Sequence, residues 1–434
     1  MKTKICSIIC IICLMFTIYL VISSRNSSYA IGIENTEINE KGELIVIYSD
    51  GTEQNLGIVV GKDGADGALN ITSNDASVSA ASSKGLRSAV SIVCNFQATV
   101  QQGGWRPGSS GSITKDYSSE GSGVIYQIDK TEGDAFIITN YHVVYDTSSN
   151  TENGISNDIN VYLYGSEFEE QAIKATYVGG SLYYDIAVLY VEDSEILASS
   201  NACAVEVANS DNVSVGDSAI AIGNAQGLGI SSTSGIVSVD SEYITMTAAD
   251  GRTEVSFRVM RVDTAINSGN SGGGLYDDEG NLIGIVNAKI VYDGVENIGY
   301  AIPSNVAVSI AENIIDYCYG KDVERVQRAL LGITVSASDS KAVLDSATGL
   351  ITIEETVSVY EVSSGYLADG ILQIGDILVS ATVNDNTTDI TRQYHIIDMM
   401  LDVRVGDVVT LSILRGGEEK IVSITITKDC LMPY

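Results

Sequence analysis

Asn267-Ser268-Gly269-Asn270-Ser271-Gly272-Gly273-Gly274 is the stretch on which the reading of this chain turns. A serine hydroxyl becomes a useful nucleophile only beside a base, with room for a carbonyl to approach and with main-chain N–H groups aimed at the oxyanion that forms. Glycines on both sides of Ser271 meet the last two needs. Gly269 can adopt backbone angles that turn its N–H alongside that of Ser271, while Gly272 and Gly273 keep side chains away from a substrate. A glycine-rich hairpin loop has the same composition, so the rest of the chain must decide.

The chain holds two histidines, His142 and His395, which limits the choice of general base. His142 lies in Phe136-Ile137-Ile138-Thr139-Asn140-Tyr141-His142-Val143-Val144, an apolar β-branched run that reads as a buried strand ending at a polar corner. A core histidine would also fit there. Asp185 stands directly before the apolar strand Ile186-Ala187-Val188-Leu189, with Asp146 and Asp193 as nearby rivals for the acid that orients the base. Taken together, His142, Asp185 and Ser271 follow the chain order of the chymotrypsin-type triad. The Gly-x-Ser-x-Gly pattern at 269–273 also matches the elbow of α/β-hydrolases, but that arrangement needs a later histidine and a helix directly behind the serine. Only His395 follows, and residues 275–286 read as a hairpin around an acidic Gly-Asn turn.

Four segments resemble, in order, the signature stretches of the HtrA/DegP family of trypsin-like serine proteases: Thr139-Asn140-Tyr141-His142-Val143-Val144, Asp185-Ile186-Ala187-Val188-Leu189, residues 265–273, and Ile298-Gly299-Tyr300-Ala301-Ile302-Pro303-Ser304-Asn305. The resemblance covers residues 86–320 closely and the rest of the C-terminal part more weakly. It implies a mainly β, chymotrypsin-like double barrel of two six-stranded halves. His142 would be general base and then acid, Asp185 its orienting partner and Ser271 the nucleophile, with the N–H groups of Gly269 and Ser271 as the oxyanion hole. Such chemistry requires no cofactor and no metal. Family members act on unfolded or damaged proteins and commonly assemble as trimers or multiples of trimers, and both properties are expected here by resemblance. In trypsin-like folds the residue six before the nucleophile lies at the floor of the primary specificity pocket; here it is Ala265. By alignment with the family, Ile266 and Ile290 help line an apolar pocket of modest depth. Cleavage is therefore expected after Val, Ala, Ile or Leu, because a buried Lys or Arg would lack a counter-charge unless an acid such as Asp293 reached in.

With 434 residues the chain can bury large cores without disulfides, and 42 glycines against 3 prolines suit a turn-rich β protein. The formal charge is −32; loss of residues 1–30 would remove Lys2, Lys4 and Arg25 and leave −35. Such a surface repels nucleic acid and anionic lipid. Cys94, Cys203, Cys318 and Cys430 show no metal-ligand spacing and read as free thiols among apolar neighbours.

Taken from the N-terminus, Lys2 and Lys4 precede an apolar run over residues 5–22, followed by Ser28-Tyr29-Ala30. Residues 1–30 read as a signal peptide or a signal anchor in the membrane, and either places the remainder outside the cytoplasm, anchored or secreted. Residues 31–61 read as a β-hairpin around Asp50-Gly51, and residues 62–83, rich in Ser, Ala and Asn, as a linker. The protease domain is expected over 84–320, with 101–120, which includes the single tryptophan Trp105, as a long loop. A closing helix should begin after Pro303, bury Val306, Ile310, Ile314 and Tyr317, and stop at Gly320. Residues 325–434 read as a small α+β domain whose order resembles a PDZ domain: strands near 333–336 and 350–356, a turn and short helix near 363–369, a helix over 391–403 and a hairpin at Gly416-Gly417. The N–H groups of Leu331, Gly332 and Ile333 would then hold a peptide's C-terminal carboxylate, although the same residues suit a plain linker entering a strand. His395 is expected on the surface or groove of that helix. Two other classes of function remain open to the sequence: a chaperone or adaptor that binds chain ends through the PDZ-like domain with little proteolysis, and an adhesive N-terminal module carrying the protease.

Overall fold

The computed structural model describes residues 33–39, 43–58, 74–102, 111–166, 171–288, 298–344, 346 and 349–433. The leader expected over residues 1–30, Trp105, Ile290 and Asp293 lie outside the described residues. Among the described residues no helix is long and apolar enough to cross a membrane. The chain divides into two compact units, Met1–Ser73 and Asn74–Tyr434.

In the first unit, β1 (Ile33–Ile38), β2 (Glu43–Tyr48) and β3 (Glu53–Ile58) form an antiparallel meander. The expected Asp-Gly turn joins β2 to β3: Gly51 takes φ +81, and Asp50 Oδ1 accepts the Thr52 N–H and hydroxyl. The expected hairpin is thus corrected to three strands. Residues 33–38, whose polar and apolar residues alternate too loosely to announce a strand, pair with β2.

The second unit begins with helix α1 (Asn74–Leu86), so the last part of the expected linker is helical. Small residues make this possible by letting the helix backbone sit close to a barrel. Ala81 is buried, and a Cβ at Gly85 would stand 2.6 Å from Ile222 Cδ1. Lys84 then reaches Glu206 at 2.9 Å and Asn281 Oδ1 at 2.7 Å.

Two closed six-stranded barrels follow, as the resemblance implies. The first contains β4 (Ala89–Gln102), β5 (Gly111–Asp129), β6 (Asp134–Thr139), β7 (Asp158–Leu163), β8 (Ile173–Ser181) and β9 (Ile186–Val191), in the order β4-β5-β6-β9-β8-β7. Between its elements lie two short helices, α2 (Tyr141–Val144) and α3 (Glu195–Ser199). The second contains β10 (Ser218–Gly223), β11 (Ser231–Thr247), β12 (Glu254–Val262), β13 (Gly274–Tyr276), β14 (Leu282–Val286) and β15 (Gly299–Pro303), in the order β10-β11-β12-β15-β14-β13. The expected long loop at 101–120 is instead mostly ladder. β4 and β5 pair without a break from Ala89↔Val124 to Gln102↔Gly111, because Thr, Ser and Gln at the far end still satisfy every strand hydrogen bond in water.

Each barrel buries its own interior, Val90, Ile92, Ile137 and Leu189 in one and Ala219, Met260, Leu275 and Ile283 in the other. A third cluster forms the seam: Ile138 and Val188 from the first barrel meet Ile222, Phe257 and Ile285 from the second. Side chains of this size stabilise by roughly 1.5–3 kcal/mol each when fully buried. Helix α4 (Ser304–Cys318) closes the seam with Val306, Ile310 and Ile314, while Tyr317 is only partly buried. Gly320, at φ +68, ends it as expected.

The C-terminal domain is a smaller α+β layer. β16 (Gln327–Ala329) pairs with β23 (Leu431–Pro433). A sheet of order β17-β18-β19-β21-β22 holds β17 (Ile333–Leu344), β18 (Ile351–Val362), β19 (Ile377–Val383), β21 (Val408–Arg415) and β22 (Glu418–Thr425), with β20 (Asn386–Asp389) on β19. Helix α5 (Gln393–Asp402) packs Ile396 and Met400 into its core. Residues 363–369 are turns, not the expected short helix, since Asp369 captures the Gly365 N–H and the Ser364 hydroxyl and closes the chain locally. Cys94, Cys203, Cys318 and Cys430 are free thiols, with burial pushing Cys94 up to about 12 and Cys318 up to about 11.

Candidate active site

The site lies where the first barrel hands the chain over between β6 and β9 and the second does so before β13. β6 ends at Thr139, whose hydroxyl donates to the Ser122 carbonyl at 2.7 Å. Asn140 then stands fully buried at the N-terminus of α2, and its Nδ2 donates to the Asp185 carbonyl at 2.8 Å. That contact, with Tyr141 N–H to the same carbonyl, ties the single helical turn carrying His142 to the turn carrying Asp185.

Asp185 is 5 % exposed and takes φ +55, a left-handed conformation that costs a non-glycine residue on the order of 1–3 kcal/mol. The bend turns its carboxylate back onto α2. Oδ1 accepts the His142 main-chain N–H at 2.9 Å, and Oδ2 lies 2.6 Å from His142 Nδ1. Oδ2 also accepts Asn287 Nδ2 at 2.9 Å. The rival acids are elsewhere: Asp146 caps its own turn through the Ser148 N–H, and Asp193 is exposed at the end of β9.

Ser271 is 5 % exposed in a turn that only glycine permits. At Gly269, φ +94, a Cβ would stand 2.2 Å from the Asn224 carbonyl oxygen; at Gly272, φ +84, it would stand 2.2 Å from that of Ser122. Ser122 pins this turn from the first barrel. Its hydroxyl donates to the Gly269 carbonyl at 2.7 Å and accepts the Asn224 N–H at 2.8 Å, while its N–H donates to the Ser271 carbonyl at 2.8 Å. The Ser268 carbonyl accepts the Gln226 N–H at 2.7 Å, and in a trans peptide this turns the Gly269 N–H away from Gln226. Gln226 itself sits at φ +57.

Ser271 Oγ accepts the Ala288 N–H at 3.2 Å. Among the described residues no hydrogen bond joins it to His142, a contact that in proteases without substrate is commonly long and tightens on binding. Ala265 is exposed, its carbonyl accepting the Thr233 hydroxyl at 2.9 Å, and Ile266 is partly buried over Gly299.

The C-terminal domain carries a separate groove of about 250 Å³ between β17 and α5, lined by Leu331, Gly332, Ile333, Tyr366, Ile397 and Met400. The Leu331 carbonyl accepts the Ala368 N–H, and the Gly332 carbonyl accepts the Ser363 N–H. Gly332 is required at φ +78, since a Cβ would lie 2.1 Å from Tyr366 Cβ. His395 does not line the groove. Its Nδ1 accepts the N–H groups of Thr391 and Arg392 and so caps α5, and burial lowers its pKa. A larger cavity, about 830 Å³, lies on the polar flank of the first barrel around Asn95, Tyr117 and Asn150 and holds none of the site residues.

Sequence reasoning missed Ser122, Gln226 and Asn287. Ser122 left a trace, since it is flanked by Gly121 and Gly123, whose positions have no room for a Cβ. Asn287 left none.

Residues 121–285 match a trypsin-like peptidase domain. The chain is 32 % identical over 363 residues to the serine protease Do-like HtrA of Lactococcus lactis subsp. cremoris, covering 80 % of this chain and 82 % of that one. It is 29 % identical to the periplasmic serine endoprotease DegP of Escherichia coli K12 over 77 % of this chain and 62 % of the other. Among solved structures it is similar to the HtrA-type protease AlgW with a decapeptide, at a TM-score of 0.50 and 25 % identity over 82 % of this chain and 99 % of that one. By the extent of these matches, the chain belongs to the HtrA family of serine proteases.

Proposed function

We propose that this serine endopeptidase cuts peptide bonds through Ser271 as nucleophile, His142 as general base and then acid, and Asp185 as the group that orients and stabilises the imidazolium. The observation that carries the reading is the 2.6 Å contact between His142 Nδ1 and the buried Asp185 carboxylate. It fixes one ring nitrogen as the donor and frees the other for a serine proton. The N–H groups of Gly269 and Ser271 form the oxyanion hole, where loss of one donor typically costs about 2.7–4 kcal/mol. Ala265, Ile266 and Ile290 shape an apolar primary pocket, so cleavage follows Val, Ala, Ile or Leu, with soft preference among them because a methylene is worth only about 1–3 kcal/mol.

The substrates are unfolded proteins, met outside the cytoplasm by a chain exported, and either anchored or released, through residues 1–30. Residues 325–434 act as a PDZ-like domain that takes peptide C-termini in the groove at Leu331, Gly332 and Ile333, with the protease domain over 84–320. A homotrimer is the assembly that family resemblance favours. Peptide-library profiling of the wild type and Ser271→Ala tests the reading: cleavage after aliphatic residues, absent in the variant, is expected. Dominant cleavage after Lys or Arg would overturn the pocket. Equal cleavage by the variant would overturn the nucleophile, whereas a wild type that binds but does not cleave would leave a chain-end-binding chaperone or adaptor.

A further inference from the structure

Asn287 follows directly on β14 and is fully buried, yet its side chain points a hydrogen-bond donor at a carboxylate. Its Nδ2 stands 2.9 Å from Asp185 Oδ2, the oxygen that also faces His142 Nδ1. Its own N–H is held by the Tyr300 carbonyl on β15, so the strand fixes where that amide can reach. The next residue, Ala288, gives its N–H to Ser271 Oγ. One dipeptide of the second barrel therefore touches both the acid and the nucleophile of the site.

We propose that Asn287 is a positioning residue of the proteolytic reaction, holding the Asp185 carboxylate in the rotamer that orients His142 and sharing its negative charge; this rests on the triad reading above. A carboxylate oxygen has more lone-pair capacity than one imidazole N–H uses. Without the amide, Oδ2 is left with His142 as its one polar partner among the described residues, in a buried site, and Asp185 loses a restraint on its side-chain torsion. His142 is the titratable group that hydrogen-bonds Asp185 among the described residues; the other contacts are the Asn287 amide and the main-chain N–H of His142. An acceptor relieved of one donor concentrates its charge on the remaining one, which favours the imidazolium.

The experiment measures kcat, KM and the pH profile of kcat/KM for the wild type, Asn287→Ala and Asn287→Asp, with fluorophosphonate labelling of each at Ser271. Asn287→Ala should lower kcat about tenfold to a hundredfold, the usual effect of removing a hydrogen bond to a charged group, and should move the acid limb of the profile to higher pH. Asn287→Asp has the same shape and separates positioning from packing. Its carboxyl can donate to Asp185 only when protonated, and two ionised carboxylates at hydrogen-bond distance repel. Its activity relative to wild type should therefore fall steadily as pH rises. Variants that fold, label at Ser271 and keep the wild-type kcat and pH profile would overturn the role of Asn287 while leaving the triad intact. Failure of the wild type itself to label at Ser271 would instead overturn the triad reading.

Discussion

Asp185 and Asp398 are both carboxylates withdrawn from water, and the protein satisfies them in opposite ways. Around Asp185 the partners are dipoles and one ring that can change its charge: the His142 N–H, the Asn287 amide and His142 Nδ1. Asp398, on α5, faces a permanent cation. Arg258 of β12 is 2 % exposed and gives Nη1 to Asp398 at 2.6 Å and Nη2 to Asp211 at 2.8 Å, with its guanidinium 3.5 Å from the Tyr394 ring centroid. Burial pushes Asp398 up to about 6 while Arg258 pulls the other way. A fixed cation locks a carboxylate in place; dipoles steady it and leave the compensating proton free to move. The first suits a joint between domains and the second suits a reaction. The joint is extensive, since Arg392 faces Asp240 at 3.4 Å and Arg404 reaches Asp316 at 2.9 Å. α5 thus carries Asp398 toward the second barrel and Ile397 and Met400 toward the groove.

The contrast breaks most visibly at Asp185. Asp185→Asn keeps the shape but presents the imidazole in the wrong tautomer, and kcat should fall on the order of 10⁴. A fall below tenfold, read by steady-state kinetics, would place the orienting acid elsewhere. Arg258→Leu should act on stability and spare the chemistry. It leaves Asp398 and Asp211 without their cation and should cost about 3–5 kcal/mol in denaturant unfolding, with hydrolysis of a short peptide retained at temperatures where the variant is folded. Loss of peptide hydrolysis in the folded variant would show that the joint belongs to the catalytic machinery.

The pH dependence of Asp398 sharpens the comparison further. Its folded pKa lies above the ordinary 3.8, so folding favours the protonated form. The contribution is fully present below about pH 4 and is lost as pH rises to about 6. The stability of the wild type minus that of Asp398→Asn should therefore decline by up to about 3 kcal/mol over that window, read from urea midpoints at each pH. A flat difference would mean that Arg258 outweighs burial. A third way of meeting a carboxylate is proposed for the groove, where main-chain N–H groups at Leu331, Gly332 and Ile333 receive a guest. Amidating an apolar-ended peptide should weaken its binding about tenfold, and equal affinity of acid and amide by calorimetry would exclude that mode.

The features most legible in the sequence were those that local stereochemistry imposes. Gly269 takes the left-handed angle that the spacing around Ser271 had suggested, Gly272 takes one that the sequence had not, and Asp185 stands at the head of β9 as its neighbours implied. The pairing of the barrels came through resemblance, because short apolar strands do not reveal which of them close a ring. What stayed hidden was long-range or compositional. Ser and Ala over residues 74–83 read as linker because nothing local shows that Ala81 and Gly85 will meet Ile222 and Tyr276. The polar far end of β4 and β5 read as loop because strand pairing there rests on the backbone and on polar contacts such as Gln97 Nε2 to Asp116 Oδ1 at 2.9 Å, which leave no apolar alternation to read. Asn287 ends an apolar strand and looks like any strand terminus; its partner lies 102 residues away. Arg258 and Asp398 are 140 residues apart and belong to different domains.

The measurement that bears most directly on the account is the stoichiometry and site of fluorophosphonate labelling of the full chain, read by intact mass and peptide mapping. The proposed triad predicts one adduct per chain, on Ser271, lost in Ser271→Ala and strongly slowed in His142→Ala, with all three proteins folded. An adduct that persists in Ser271→Ala, or that maps to another serine, would contradict it.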